Sequence, residues 1–379
     1  MEQSKEIKVP AKKGSHGRKP QVKQKFEKFD FNDILIEPAR STKILSREEC
    51  NVRYGAPEGT FGHLPLITAP MDTVVSEENS YKFFENGINV CMPRGENINT
   101  KESQYAGARM GFVSYSLIDF TKLYVAKKVE NYPSHVLIDI ANGHMSDLLY
   151  VTKKAKSYYG KSMQLMVGNI ANPQTYRDLS EAGADYIRVG IGNGNGCLTT
   201  QQTGVGYPMG SLVSECYKIS QSFKREDRAK IVADGGMKEY GDIIRALALG
   251  ADYVMIVSMF NKAIESCGQN YIHLSYLGTY KISQEKAMKK FQKGTKILKE
   301  FRGMSTKAVQ RKWGKDVPKT SEGVVRYREV EYTLSQWVEN FQHYLSTAMA
   351  YTNVKELEQF IGKVNYNKIS NQSYKRFNK

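Results

Sequence analysis

A chain of 379 residues with 40% hydrophobic content can bury a large core, which excludes a small disulfide-stapled scaffold and an intrinsically disordered polymer. The formal net charge is +16, but residues 1–28 carry nine Lys/Arg against three Glu and residues 363–379 carry five against no acid, so most of the excess is terminal. Basic tails of this composition are ordinarily solvated and disordered, with RNA or DNA contact the minority reading.

No apolar run is long enough to span a bilayer, and the lysine-rich start lacks the apolar stretch of a signal peptide, which points to the cytosol. The five cysteines (Cys50, Cys91, Cys197, Cys216, Cys267) are odd in number, scattered and never arranged CxxC. Free thiols are therefore expected rather than a disulfide framework or a structural zinc.

Taken in order, residues 1–28 read as a disordered arm, 29–362 as one catalytic domain, and 363–379 as a basic tail. Eight β-rich runs follow Phe29, at 64–70, 88–92, 111–116, 135–140, 163–170, 185–191, 230–236 and 252–258. Amphipathic stretches between them predict helices, clearest at 146–159, 173–183 and 240–250, the last two ending on glycines suited to a C-cap. Eight repeated βα units predict a closed parallel barrel, the (β/α)8 TIM-barrel architecture. An open doubly wound sheet is the competing fold, because alternation alone does not show closure. Residues 261–328 are too long and polar for a simple connection and read as an irregular lid. In 329–360, Leu334, Val338, Phe341, Leu345 and Met349 recur at helical spacing.

The chemistry concentrates in the stretch 189–208, VGIGNGNGCLTTQQTGVGYP. Cys197 is the candidate nucleophile, with the Thr199 hydroxyl two residues on, and Gly190, Gly192, Gly194 and Gly196 alternate before it, as where backbone groups approach a ligand or ion. A loose surface loop is the bland alternative. A dinucleotide turn fails on spacing, because Asn195 and Cys197 stand where GxGxxG needs its last glycine. Asp72, Asp139, Asn169, Asp234 and Ser258 fall at predicted strand ends, the rim on which barrel enzymes carry their sites. Gly235, Gly236 and the segment around Val257 and Ser258 are placed to cradle a phosphate with backbone N–H groups. Glu322 in the lid segment KTSEG could enter the site on closure, though a solvated carboxylate is the commoner reading of such a residue.

These motifs, from FDFNDILIEP (29–38) through APMDTV (69–74), DIANG (139–143), GIGNGNGCLTT, TGVGYP, DGG, SMF and RGMS to SEG, resemble the IMP dehydrogenase and GMP reductase family over residues 29–360. Within it the chain resembles the reductase branch. The Arg-Tyr pair that dehydrogenases carry before the lid Glu or Gln is replaced by Lys312-Trp313 after Arg311, and Phe301 precedes RGMS where dehydrogenases usually have tyrosine. Only the fifteen residues 96–110 separate CMPRG from GFVSYS, which leaves no room for the regulatory insert of many dehydrogenases.

The resemblance implies NADPH-dependent conversion of GMP to IMP and ammonia through a Cys197–purine adduct, with Thr199 and Glu322 relaying the proton to the departing amine. It also implies that Asp234 holds the ribose; Gly235, Gly236, Val257 and Ser258 the phosphate; and Gly303, Met304 and Ser305, with Lys319, Ser321 and Gly323, the base and its surroundings. The cofactor is implied over Asp139, Ile140 and Ala141, with Ile191 and Gly192 beneath and Arg40 and Ser41 nearby. Carbonyls of Gly192, Gly194 and Cys197 are implied ligands of a monovalent cation such as K⁺, and the assembly implied is a homotetramer. Thr200 stands where reductases carry an arginine, Lys319 where they carry another, Val257 replaces a glycine, and Arg94 takes the place of a lysine near the cofactor phosphate. Two rivals remain on the sequence: an IMP dehydrogenase with an altered flap, and a catalytically silent barrel that binds nucleotides or RNA.

Overall fold

The computed structural model describes residues 27–55, 62–96, 111–194, 197–274, 278–303 and 325–377. After the short strand β1 (Ile34–Ile36) come β2 (Leu66–Thr68), β3 (Val90–Cys91), β4 (Gly111–Tyr115), β5 (His135–Asp139), β6 (Gln164–Ile170), β7 (Tyr186–Val189), β8 (Lys230–Asp234) and β9 (Tyr253–Ile256). Each of the eight from β2 to β9 lies inside one of the eight predicted runs. They are parallel and pair in the order β2-β9-β8-β7-β6-β5-β4-β3. The two ends meet: Thr68 N–H donates to Asn89 O at 3.0 Å, and Asn89 N–H donates to Leu66 O at 3.0 Å. The sheet is thus closed into a (β/α)8 barrel rather than open.

The strands are largely apolar on both faces, as a parallel sheet covered on both sides requires. Every residue of β7 and β9 is buried, as required when one face meets the barrel interior and the other the surrounding helices. Helices Ser146–Tyr159, Pro173–Glu181, Met209–Ser220 and Tyr240–Ala248 supply that outer layer. Asn172 caps Pro173–Glu181 by accepting from Gln174 N–H, with Pro173 in the first turn, where no N–H is needed. The helix Leu334–Tyr351 buries Leu334, Val338, Phe341, Leu345 and Met349 together with Trp337, the stripe read from their spacing.

Two regions differ from expectation. Within 261–328 the described residues are not irregular: β10 (Asn270–Leu274), β11 (Gly278–Ile282), β12 (Leu298–Arg302) and β13 (Val325–Glu329) form an antiparallel sheet in the order β11-β10-β12-β13. With helix Gln284–Gln292 this sheet encloses its own small core of Ile264, Ile272, Ile282, Ala287, Ile297 and Val330. These strands look polar because much of the sheet is exposed: β11 buries only Ile282, and β13 buries no residue. The C-terminal tail also carries structure: β14 (Tyr366–Lys368) pairs antiparallel with β1, and a helix follows at Asn371–Phe377. Exposed backbone of β1 offers a partner that charge composition does not reveal. Residues 1–26 of the basic arm lie outside the described residues. Among the described residues, no helix is long and apolar enough to cross a membrane.

Candidate active site

The C-terminal ends of the barrel strands open into a cavity of about 610 Å³. Into it come Asp139, Ile140 and Ala141 after β5, Asn169 from β6, Ile191, Gly192, Gly194, Cys197 and Thr199 after β7, Asp234, Gly235 and Gly236 after β8, Val257 and Ser258 after β9, and Phe301 and Gly303 from β12. Thus most of the residues expected at the site converge. Met304, Ser305, Lys319, Ser321, Glu322 and Gly323 lie outside the described residues. Arg40 and Ser41 are exposed and do not line the cavity. Their segment is tied instead to the end of helix Leu334–Tyr351, where Ala39 N–H donates to Tyr351 O at 2.9 Å and Thr42 Oγ1 to Ala350 O at 3.0 Å.

All five cysteines are unpaired, and burial separates their chemistry. It pushes the Cys91 and Cys267 thiols up to about 12, and raises those of Cys216 and Cys50 as well. Cys197 is the one cysteine lining the cavity, and its thiol donates to Thr199 Oγ1 across 3.1 Å. Its own N–H returns to Gly194 O at 2.9 Å, and Thr199 opens the short helix Thr199–Thr203, so thiol and hydroxyl are held side by side by one tight turn.

Two of the alternating glycines, Gly190 and Gly192, are required by packing. At Gly190, φ is +131°, and a Cβ would fall 2.2 Å from Asp234 O; at Gly192, φ is +77°, and a Cβ would fall 1.8 Å from Thr200 Oγ1. Both positions need glycine so that the loop can fold against β8 and against its own helix. Thr200 Oγ1, at the position where an arginine was expected, donates to Ile191 O at 3.3 Å and holds that fold. Of the implied cation ligands, the Gly194 carbonyl accepts from Cys197 N–H at 2.9 Å.

Beneath the cavity runs an ion-pair chain absent from the sequence reading. Arg188, within the apolar strand β7, donates from Nη1 to Asp139 Oδ1 at 2.7 Å and from Nε to Asp234 Oδ2 at 2.9 Å. Arg94 Nε donates to Asp139 Oδ2 at 2.9 Å, and Asn169 Nδ2 donates to Asp234 Oδ2 at 2.7 Å and to Gly190 O at 2.8 Å. Burial works against the Arg188 charge, but Asp234 and Asp139 more than restore it, and its pKa lies above the ordinary value. Arg188 and Asn169 both donate to Asp234 Oδ2, while both oxygens of Asp139 are engaged. A charged residue inside the run DYIRVGI was the available signal for Arg188.

His144 also lines the cavity but is spent on structure. Ala171 N–H donates to its Nε2 at 3.0 Å, so Nδ1 carries the proton toward Thr175 Oγ1 at 2.9 Å, and burial lowers its pKa.

Comparison with known proteins matches residues 28–377 to the family model described as IMP dehydrogenase / GMP reductase domain. The chain belongs to this family. Similar relatives within the IMP dehydrogenase / GMP reductase family include a GMP reductase of Streptococcus gordonii, 30% identical over 289 residues that cover 73% of this chain and 85% of the relative. A GMP reductase of Clostridium acetobutylicum is 31% identical over 73% of this chain and 84% of the relative, and human GMP reductase 2 is 29% identical over 79% and 86%.

Proposed function

We propose that this protein is a GMP reductase, converting GMP and NADPH to IMP, ammonium and NADP⁺ with uptake of two protons. The observation that carries the reading is the Cys197 thiol, 3.1 Å from the Thr199 hydroxyl and facing the cavity bounded by Asp234 and the Gly235–Gly236 turn. The names of the similar relatives support the same branch of the family.

In this reading the nucleotide lies with its ribose at Asp234 Oδ1 and its phosphate at the backbone of Gly235, Gly236, Val257 and Ser258. The Cys197 sulfur bonds to purine C2, and the C2–N bond of the 2-amino group then breaks. Thr199, with Glu322 as its proposed partner, delivers the proton that lets nitrogen leave as ammonia. The flat, Cβ-free surface at Gly192 and the apolar walls of Ile140, Ala141, Ile191 and Met71 suit a nicotinamide ring. When bound, NADPH supplies the reducing equivalent at C2. Breaking the S–C2 bond then releases IMP and restores the thiol. Gly303, with Met304, Ser305, Lys319, Ser321 and Gly323, is proposed to surround the base. Because their segment is held elsewhere, Arg40 and Ser41 are not included among the cofactor contacts within one chain, and no step is assigned to K⁺.

A cytosolic homotetramer remains part of the proposal, the five unpaired thiols being those of a reducing compartment; light scattering tests the assembly. The reaction is tested by incubating the protein with GMP and NADPH, and separately with IMP and NAD⁺. Loss of NADPH absorbance with stoichiometric ammonia in the first mixture is expected. Sustained formation of XMP in the second would replace the reductase with a dehydrogenase.

A further inference from the structure

Behind the cavity wall lies a lysine to which the proposed chemistry gives no task. Lys299 on β12 has no exposed surface, and its ammonium donates to three backbone carbonyls: Ala263 at 3.3 Å, Ile264 at 2.8 Å and Ser266 at 2.6 Å. All three belong to the turn that continues the short helix Ser258–Asn261, and Ser258 at its start lines the cavity. Two residues beyond Lys299 along β12, Phe301 enters the same cavity, with Gly303 beyond it. The ammonium therefore ties the wall that bears Ser258 to the wall that bears Phe301 and Gly303.

Neighbouring contacts brace the same junction. Asn261 Nδ2 donates to Glu300 O at 3.0 Å and to Thr73 O at 2.8 Å, and Arg302 pairs with Asp72 at 2.7 Å. A buried ammonium is a costly way to fill space, since a methionine has similar volume and no charge to desolvate. What methionine lacks is N–H donors, three in the ammonium and two in the neutral amine, without which the carbonyls of the turn have no partner from the Lys299 side chain.

We propose that Lys299 is a positioning residue for the nucleotide reaction, holding the base-facing end of β12 in register with the phosphate-facing turn after β9. The inference rests on the proposed function, in which one nucleotide touches both walls. Binding of GMP then fixes β12 through Lys299, and purine C2 is brought to the Cys197 sulfur in a single geometry.

The test uses the full chain with Lys299→Met, and with Lys299→Ala in the presence and absence of propylammonium, which fits the deleted side chain. Thermal melting monitors folding. In Lys299→Met, kcat for GMP is expected to fall about a hundredfold, the scale of a misplaced reacting group, while GMP binding stays within about threefold. Propylammonium should restore at least about tenfold of the Lys299→Ala turnover. Hydrogen exchange of residues 298–302 should slow on GMP binding to the unmutated protein and not in Lys299→Met. The proposal is overturned by wild-type turnover in a folded variant, by GMP-induced protection of β12 that persists in Lys299→Met, or by no such protection in the unmutated protein. Should Lys299→Met fail to fold, the Lys299→Ala titration decides: recovery of the melting transition without recovery of kcat also overturns the proposal. Absence of GMP turnover in the unmutated protein would instead remove the reading on which it rests.

Discussion

At the scale of single residues, the cavity separates a reacting group from the groups that hold it. Cys197 and Thr199 face the space where purine C2 would lie, whereas the proposed ribose and phosphate contacts come from β8 and β9. Cys197→Ala should therefore abolish turnover, by roughly 10⁴-fold or more, yet leave GMP binding measurable by calorimetry. Near-normal turnover in that variant would remove the nucleophile. Arg188 is of the second kind. Arg188→Met leaves Asp139 and Asp234, both largely buried, without the cation between them, at a cost of about 3 kcal/mol. The expected result is a lowered urea midpoint together with weaker GMP binding, since Asp234 is then held by Asn169 alone among the described residues; an unchanged midpoint would show that the network carries no energy. Lys299 gives a pH signature of its own. Burial draws its ammonium down to about 7 from an ordinary value of 10.5, with Glu265 and Cys267 opposing the shift and Lys82 adding to it. Between these values the unfolded chain holds one proton more than the folded chain, so this residue makes stability rise with pH across that window. From pH 7 to 10 the stability of the unmutated protein relative to Lys299→Met should therefore rise, the titration of other groups cancelling in the comparison; a pH-independent difference would show that Lys299 does not titrate in this way.

At the scale of elements, packing at Gly190 and Gly192 constrains the path from β7 to the helix Thr199–Thr203. A Cβ at Gly192 meets Thr200 Oγ1 at 1.8 Å and also forces a side chain into positive φ, whereas Gly204, at φ +70°, has nothing within 4 Å of its would-be Cβ. Gly204→Ala should cost only backbone strain, about 1 kcal/mol, with kcat nearly intact. Gly192→Ala adds the clash, displaces Thr200 and with it the turn that sets Cys197 beside Thr199, and should lower kcat by at least about tenfold. Equal effects from the two substitutions would show that the Gly192–Thr200 packing does not position the thiol. The antiparallel sheet β10–β13 is an element of another sort. Its small separate core lets β12 carry Phe301 and Gly303 to the cavity while remaining outside the barrel.

At the scale of the whole molecule, the C-terminal tail carries more structure than its charge suggests. β14 pairs Tyr366, Asn367 and Lys368 with Ile36, Leu35 and Ile34, and Tyr366 packs on Phe29 with ring centroids 5.9 Å apart. Deleting 363–379 should thus cost about 2 kcal/mol of partly buried apolar surface and lower the thermal midpoint by a few degrees, with kcat at low temperature little altered. An unchanged midpoint would show that β1 does not need its partner. The sequence by itself determined the eight strands, most of their helices and the rim residues Cys197, Thr199, Asp234 and Ser258, because continuous apolar runs bounded by glycine and polar turns carry a local signal. Closure of the barrel was decided only in three dimensions, by hydrogen bonds joining Leu66 and Thr68 to Asn89. Tertiary structure alone also decided that Arg188 joins Asp139 to Asp234, that Arg40 and Ser41 stand away from the cavity, and that 270–274, 278–282, 298–302 and 366–368 form strands. In each case the deciding partner lies on another element. A half-buried strand or an ion pair takes its energy from what it meets across space, and composition and periodicity along one stretch of chain do not record that meeting.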